Sequence, residues 1–75
     1  MKNEQAECDP EDVLDFIISD TGNISREYGG YVIEIHDATN FPWSAVIRTL
    51  LRINHEIWIE SRDGKLVILS KPKAD

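Results

Sequence analysis

The sequence has a single cysteine, Cys8, so no disulfide can form within the chain. That favours a reducing compartment and predicts a cytoplasmic protein. One cysteine and two histidines are also too few ligands for an ordinary four-coordinate zinc site. No apolar run approaches the roughly 18 residues that a bilayer crossing needs, so no membrane span is expected. The first ten residues are polar and acidic, unlike a signal peptide. There is no glycine-rich phosphate loop, no nucleophile elbow and no metal-ligand pair at useful spacing. Positive charge is scarce: 8 Lys and Arg face 14 Asp and Glu, for a formal net charge of -6. A chain this acidic is repelled by nucleic-acid phosphates.

What remains describes a folded domain. The 75 residues are 41% hydrophobic and 29% charged, within the range of globular proteins. That length holds one domain. Residues 1–8 show no periodicity and are expected to be a loose acidic tail, followed by one domain over 9–72 and a short tail at 73–75. Charge is uneven between the halves. Residues 1–40 carry two basic and ten acidic side chains, and residues 41–75 carry six basic and four acidic ones. Only the second half could present a basic face.

Asp9-Pro10-Glu11-Asp12 is a helix start: Asp9 caps free N–H groups, Pro10 suits the first position, and the acids complement the helix dipole. Val13, Leu14, Ile17 and Ile18 recur at helical spacing, predicting a helix over about residues 10–20, with Gly22 ending it in a left-handed conformation. Two β-rich runs then flank Gly29-Gly30, a hairpin signal. A two-residue Gly-Gly loop pairs Tyr28 with Tyr31, Arg26 with Ile33 and Ile24 with Ile35. Ile24, Tyr28, Tyr31, Ile33 and Ile35 then share one face, and Ser25, Glu27, Val32, Glu34 and His36 the other. Phe41-Pro42 opens a second helix, with Trp43, Val46, Ile47, Leu50 and Ile53 on one stripe and Asn54 at its end. The last hairpin joins residues 55–60 to 65–70, with Arg62-Asp63-Gly64 as a three-residue loop. That register puts Ile57, Ile59, Val67 and Leu69 on one face and Trp58, Leu66 and Ile68 on the other.

The expected architecture is α+β and two-layered: helix, hairpin, helix, hairpin, with both helices on one face of a four-stranded antiparallel sheet. A shift of 33 residues superposes Val13 on Val46, Leu14 on Ile47, Ile17 on Leu50 and Ile24 on Ile57, the pattern of an internal repeat. An alternative is a winged helix-turn-helix. From Ile35 to Ile53 the chain resembles winged-helix DNA-binding domains. Ile35 stands at a buried aliphatic position, Asn40 at the usual turn glycine, and Phe41 and Val46 at apolar positions. His36 and Thr49 depart from that pattern. The resemblance implies a recognition helix over 43–52 with Trp43, Ser44, Ile47, Arg48 and Arg52 toward DNA. The hairpin would be the wing, carrying Arg62 and Lys65.

No set of residues converges on catalysis, and no enzyme and no cofactor are expected. Cys8 lies among acids, which raise a thiol pKa. A Cys8–His36 or Cys8–His55 pair is conceivable on composition alone. Glu34, His36 and Asp37 are close in sequence but fall mainly on a solvated sheet face. Asn23-Ile24-Ser25 matches a glycosylation acceptor, without consequence inside the cell. Binding residues are better candidates. Trp58, Leu66 and Ile68, with Val32, would form an apolar patch on the face that the helices leave open. Glu11, Asp12 and Asp15 would array carboxylates on the outer side of the first helix. These features predict a small acidic protein that works by protein–protein contact, as an adaptor, accessory subunit or inhibitor of a basic or nucleic-acid-binding partner. A homodimer through the open sheet face is a second form of the same expectation.

Overall fold

The computed structural model describes residues 9–27 and 29–74. Its order is helix α1 (Pro10–Ile18), a 3-10 turn (Ser19–Thr21), strands β1 (Gly22–Glu27) and β2 (Gly30–Ile35), helix α2 (Trp43–Arg52), and strands β3 (His55–Arg62) and β4 (Lys65–Pro72). The four strands make one antiparallel sheet in the order β1-β2-β4-β3. Two helices and a four-stranded antiparallel sheet are thus present, as expected for the α+β class.

α1 starts where its residues require. The Asp9 carboxylate accepts a hydrogen bond from the Glu11 N–H at 3.0 Å, and Pro10 occupies the first turn. Leu14 and Ile18, one turn apart, are both buried. The helix ends earlier than expected, and not at Gly22. Ser19 takes the positive φ of 54°, and its N–H bonds the Asp15 carbonyl. Gly22 is extended at φ -175° and opens β1. It is needed for space: a Cβ there would lie 2.4 Å from the Glu34 carbonyl oxygen.

The first hairpin also closes through two residues, but one position earlier than the expected Gly-Gly loop. Glu27 pairs with Gly30, Arg26 with Tyr31 and Ile24 with Ile33. The register differs by two residues, so each described side chain keeps its expected face; Tyr28 lies outside the described residues. Gly29 has φ 82°, as a tight turn requires. Gly30 instead belongs to the strand, where β4 passes so close that a Cβ would fall 1.8 Å from the Ser70 carbonyl oxygen.

The second hairpin corrects the sequence reading more deeply. Arg62 pairs with Lys65, and the loop is Asp63-Gly64 alone, with φ 52° and 80°. Both signs are those of a type I′ turn, and Asp tolerates the left-handed conformation well enough to share it with Gly64. Removing one residue from the loop turns β4 over. Ile59 now faces Ile68, Trp58 faces Leu69 and Ile57 faces Ser70. Ile68 is fully buried, and Leu66 follows it to the same side of the sheet; Val67 and Leu69 take the other side.

Both helices cover the side bearing Ile33, Ile35 and Ile68. With Leu14, Ile18, Phe41, Val46 and Leu50 these form one buried cluster. α2 ends at Arg52 with Ile53 as its C-cap, and Asn54 follows at φ 62°, its carbonyl accepting from the Lys73 N–H at 3.1 Å. The connection before α2 is fastened: the His36 and Asp37 N–H groups both donate to the Thr21 carbonyl, and Trp43 Nε1 donates to Ala38. Residues 30–35 are strand, so the helix-turn-helix over 31–53 is not formed. The β-branched run after two glycines follows its local preference, and pairing on both edges consolidates it.

Of the glycines, Gly30 therefore sits closest to a neighbouring strand. Gly30→Ala should lower stability by about 3 kcal/mol or more, read as a fall in the denaturant midpoint. A loss under about 1 kcal/mol would show that β2 and β4 do not approach this closely.

Candidate functional site

The pairing of the strands lays out the helix-free face in rows. Val32 stands opposite Leu69, and Leu69 opposite Trp58, so an apolar row crosses β2, β4 and β3. Trp58 keeps 45% of its surface exposed. A shallow cavity of about 260 Å³ lies along this row, bounded also by Glu27, Arg62 and Lys71. The neighbouring row is Glu34, Val67 and Glu60, with Val67 buried between two carboxylates. On the other side Glu56 stands opposite Lys71. Arg62 Nη2 reaches Glu60 at 2.9 Å, and His36 Nε2 lies 3.2 Å from Glu34. An apolar row thus lies between charged margins.

Of the predicted patch, Trp58 and Val32 stand here. Leu66 and Ile68 do not, because the shorter turn moved them to the helix side; Leu69 takes their place in the row, while Val67 shares this face but is buried. The signal that could have found them is Asp63-Gly64 itself, a strong two-residue hairpin pair.

The carboxylate array on α1 is smaller than expected. Arg26 of β1 pairs with Asp9 at 3.1 Å and bonds Glu11 through Nε. Glu11 chiefly, and Asp9, hold the Arg26 guanidinium above its ordinary pKa. Asp12 and Asp15 remain exposed. The residues proposed for DNA do not converge. Arg48, Arg52 and Ser44 are exposed on α2, while Arg62 pairs with Glu60 of the same strand on the helix-free face. Trp43 is half-buried, edge-on to Phe41 with ring centroids 4.9 Å apart. Lys65 is exposed beside the hairpin tip.

Glu34, His36 and Asp37 form no common site. Both Asp37 oxygens bond Asn40, and those bonds hold its carboxyl below the usual carboxylate range. Cys8 lies outside the described residues. Sequence reasoning missed a buried polar pair, His55 and Ser70. His55 is 7% exposed, its Nδ1 lies 3.0 Å from Ser70 Oγ, and its ring stacks on Tyr31. Only the β3–β4 and β2–β4 registers bring these three together, and neither could be read from one strand. Burial pushes the His55 imidazole below its ordinary value and raises the Tyr31 phenol. Among the described residues no carboxylate bonds this imidazole, so the Ser70–His55 contact lacks the orienting acid of a nucleophilic triad. Among the same residues no group of three or more His, Cys, Asp or Glu is placed to hold a metal ion. No described helix is long and apolar enough to cross a membrane.

No protein-family model, curated protein or solved structure matches this chain.

His55 carries a pH dependence with a definite sign. The fold disfavours its protonated form, so full stability is present above the unfolded value of about 6.5 and declines as pH falls below it. Denaturant midpoints should therefore be lower near pH ~5.5 than near pH ~7.5, and His55→Gln should flatten that difference. Equal slopes for wild type and variant would remove His55 as the cause.

Proposed function

We propose that this chain is a small cytosolic, non-enzymatic protein that acts by binding another protein through the helix-free face of its sheet. The observation that carries this reading is the half-exposed Trp58 at the end of the Val32–Leu69–Trp58 row. A tryptophan in an apolar row with charged margins has the composition of an interface hot spot, where aromatic burial supplies energy and the rim excludes water. The net charge of -6 favours a basic partner, because long-range attraction speeds the encounter of opposite charges. An adaptor, an accessory subunit and an inhibitor of a basic or nucleic-acid-binding protein all fit that chemistry.

The test combines stability with position-specific capture. Trp58→Ala should cost about 1–2 kcal/mol, below the ~3–5 kcal/mol of a core tryptophan. A photo-crosslinking residue at position 58, introduced in the cell that makes the protein, should capture a discrete partner that a crosslinker at Thr39 does not. A loss of stability in the full core range, or identical capture from both positions, would end this reading.

A companion measurement concerns nucleic acid. With its cations divided between α2 and the opposite face, the chain should not bind mixed duplex DNA at about 0.15 M salt. Binding that weakens steeply with salt and disappears on changing Arg48 and Arg52 to Ala would favour a DNA-binding regulator instead.

A further inference from the structure

β3 is an edge strand, and its free edge has a definite chemistry. In a two-residue hairpin the residues flanking the loop form a hydrogen-bonded pair, here Arg62 and Lys65. Bonded pairs alternate along an antiparallel ladder, so Glu60, Trp58 and Glu56 also bond β4. Ile57, Ile59 and Ser61 then turn their N–H and C=O groups outward. Pro72 agrees with this count: it stands opposite His55, at a site where its missing N–H costs the β3 ladder nothing. Among the described residues no backbone group of 55–62 bonds outside the ladder.

Natural edge strands are guarded by proline, by a bulge or by charge, lysine above all. β3 has no proline, lysine or bulge, and its charges, Glu56, Glu60 and Arg62, are of both signs. Its eight residues are HEIWIESR, and their pairing with β4 runs without a skipped residue. The other edge, β1, has six residues and includes Gly22, Asn23 and Ser25, poor strand formers. On the helix side of β3, Ile59 is left 53% exposed.

We propose that two copies of this chain associate by antiparallel pairing of their β3 edges, with Ile59 opposite Ile59 of the second copy. Overlap and charge together select this register, since centring on Ile57 or Ser61 pairs less of β3 than centring on Ile59 does. The outward groups at 57, 59 and 61 require bonded pairs between odd positions, which leaves few two-fold alignments. Centring on Trp58 sets Glu56 against Glu60 of the second copy, twice. Centring on Glu60 sets that carboxylate against itself. Centring on Ile59 sets Glu56 against Arg62 of the second copy, twice, and opposes no like charges. These are non-hydrogen-bonded positions, where side chains come closest. The two-fold axis then buries Ile59 on its equivalent, and about six main-chain hydrogen bonds join the two sheets into one. This pairing uses the edge of β3 and is independent of any partner seated on the helix-free face.

Sedimentation velocity on the full chain tests it. Between about 10 µM and about 1 mM the mass should move from one chain toward two. Glu56→Arg alone and Arg62→Glu alone each oppose like charges and should weaken association at least ~10-fold. An equimolar mixture of the two variants places each new charge against its opposite and should restore the dimer. At high concentration the Ile57, Ile59 and Ser61 amides should gain protection from exchange, while the Trp58 amide, already bonded to β4, should not change. A wild type that stays monomeric throughout overturns the proposal. So does a mixture that fails to associate, or a dimer whose protection arises elsewhere than at those three amides.

Discussion

The fold depends on the meeting of β2 and β4 at the centre of the sheet. Each α-β-β half is built from local contacts, and each hairpin closes through two residues. Neither half has a core of its own: Leu14, Ile18, Ile33 and Ile35 come from one, and Val46, Leu50 and Ile68 from the other. The pairs Tyr31–Ser70, Val32–Leu69 and Ile33–Ile68 align them. A two-stranded hairpin is marginal in water, whereas four strands under two helices close a core. The glycine at position 30 admits the β4 backbone, and its missing side chain is what lets the two halves become one sheet.

The same seam determines what each face offers. On the helix side it joins Ile33 to Ile68 under the core, and brings Ser70 and Tyr31 to His55. On the other side it joins Val32 to Leu69 and so continues the row to Trp58. The core and the candidate site are therefore alternate residues of the same strands. A register error of one residue would exchange them, which is why the Asp63-Gly64 turn governs the surface as well as the interior.

Much of this was legible in the sequence where the signals were local. Asp9-Pro10 marked the start of α1, the β-branched run after Gly29-Gly30 marked β2, and the apolar spacing of Val46 and Leu50 marked the inner side of α2. Trp58 could be placed on the open face because its neighbours Ile57 and Ile59 belong to the core side. The rest depended on partners distant in the chain. Leu66 and Ile68 were misplaced because Asp63 shares the left-handed turn that Gly64 seemed to need with a third residue. Gly22 and Gly30 read as turn formers, yet both serve close packing against strands that the local sequence does not reveal. His55 was unreadable for the same reason, since Tyr31 and Ser70 reach it through two separate registers. The apparent repeat at a spacing of 33 also fails in detail: it sets buried Leu14 on half-buried Ile47, whereas the buried pairs Leu14/Ile18 and Val46/Leu50 stand one residue closer.

The reach of the second hairpin has a consequence for how stability is distributed. β2 pairs with β4 only as far as Glu34 and Val67, but β3 and β4 run on to Arg62 and Lys65. Beyond Val67 the hairpin is a two-stranded ribbon without a third strand beside it, and its residues 60–66 are exposed. Such a ribbon opens at a small fraction of the free energy that separates the whole molecule from its unfolded state. The chain therefore combines a centre that unfolds only globally with an arm that breathes on its own. Among the described residues, a protease acting on the native protein would find accessible bonds in that arm.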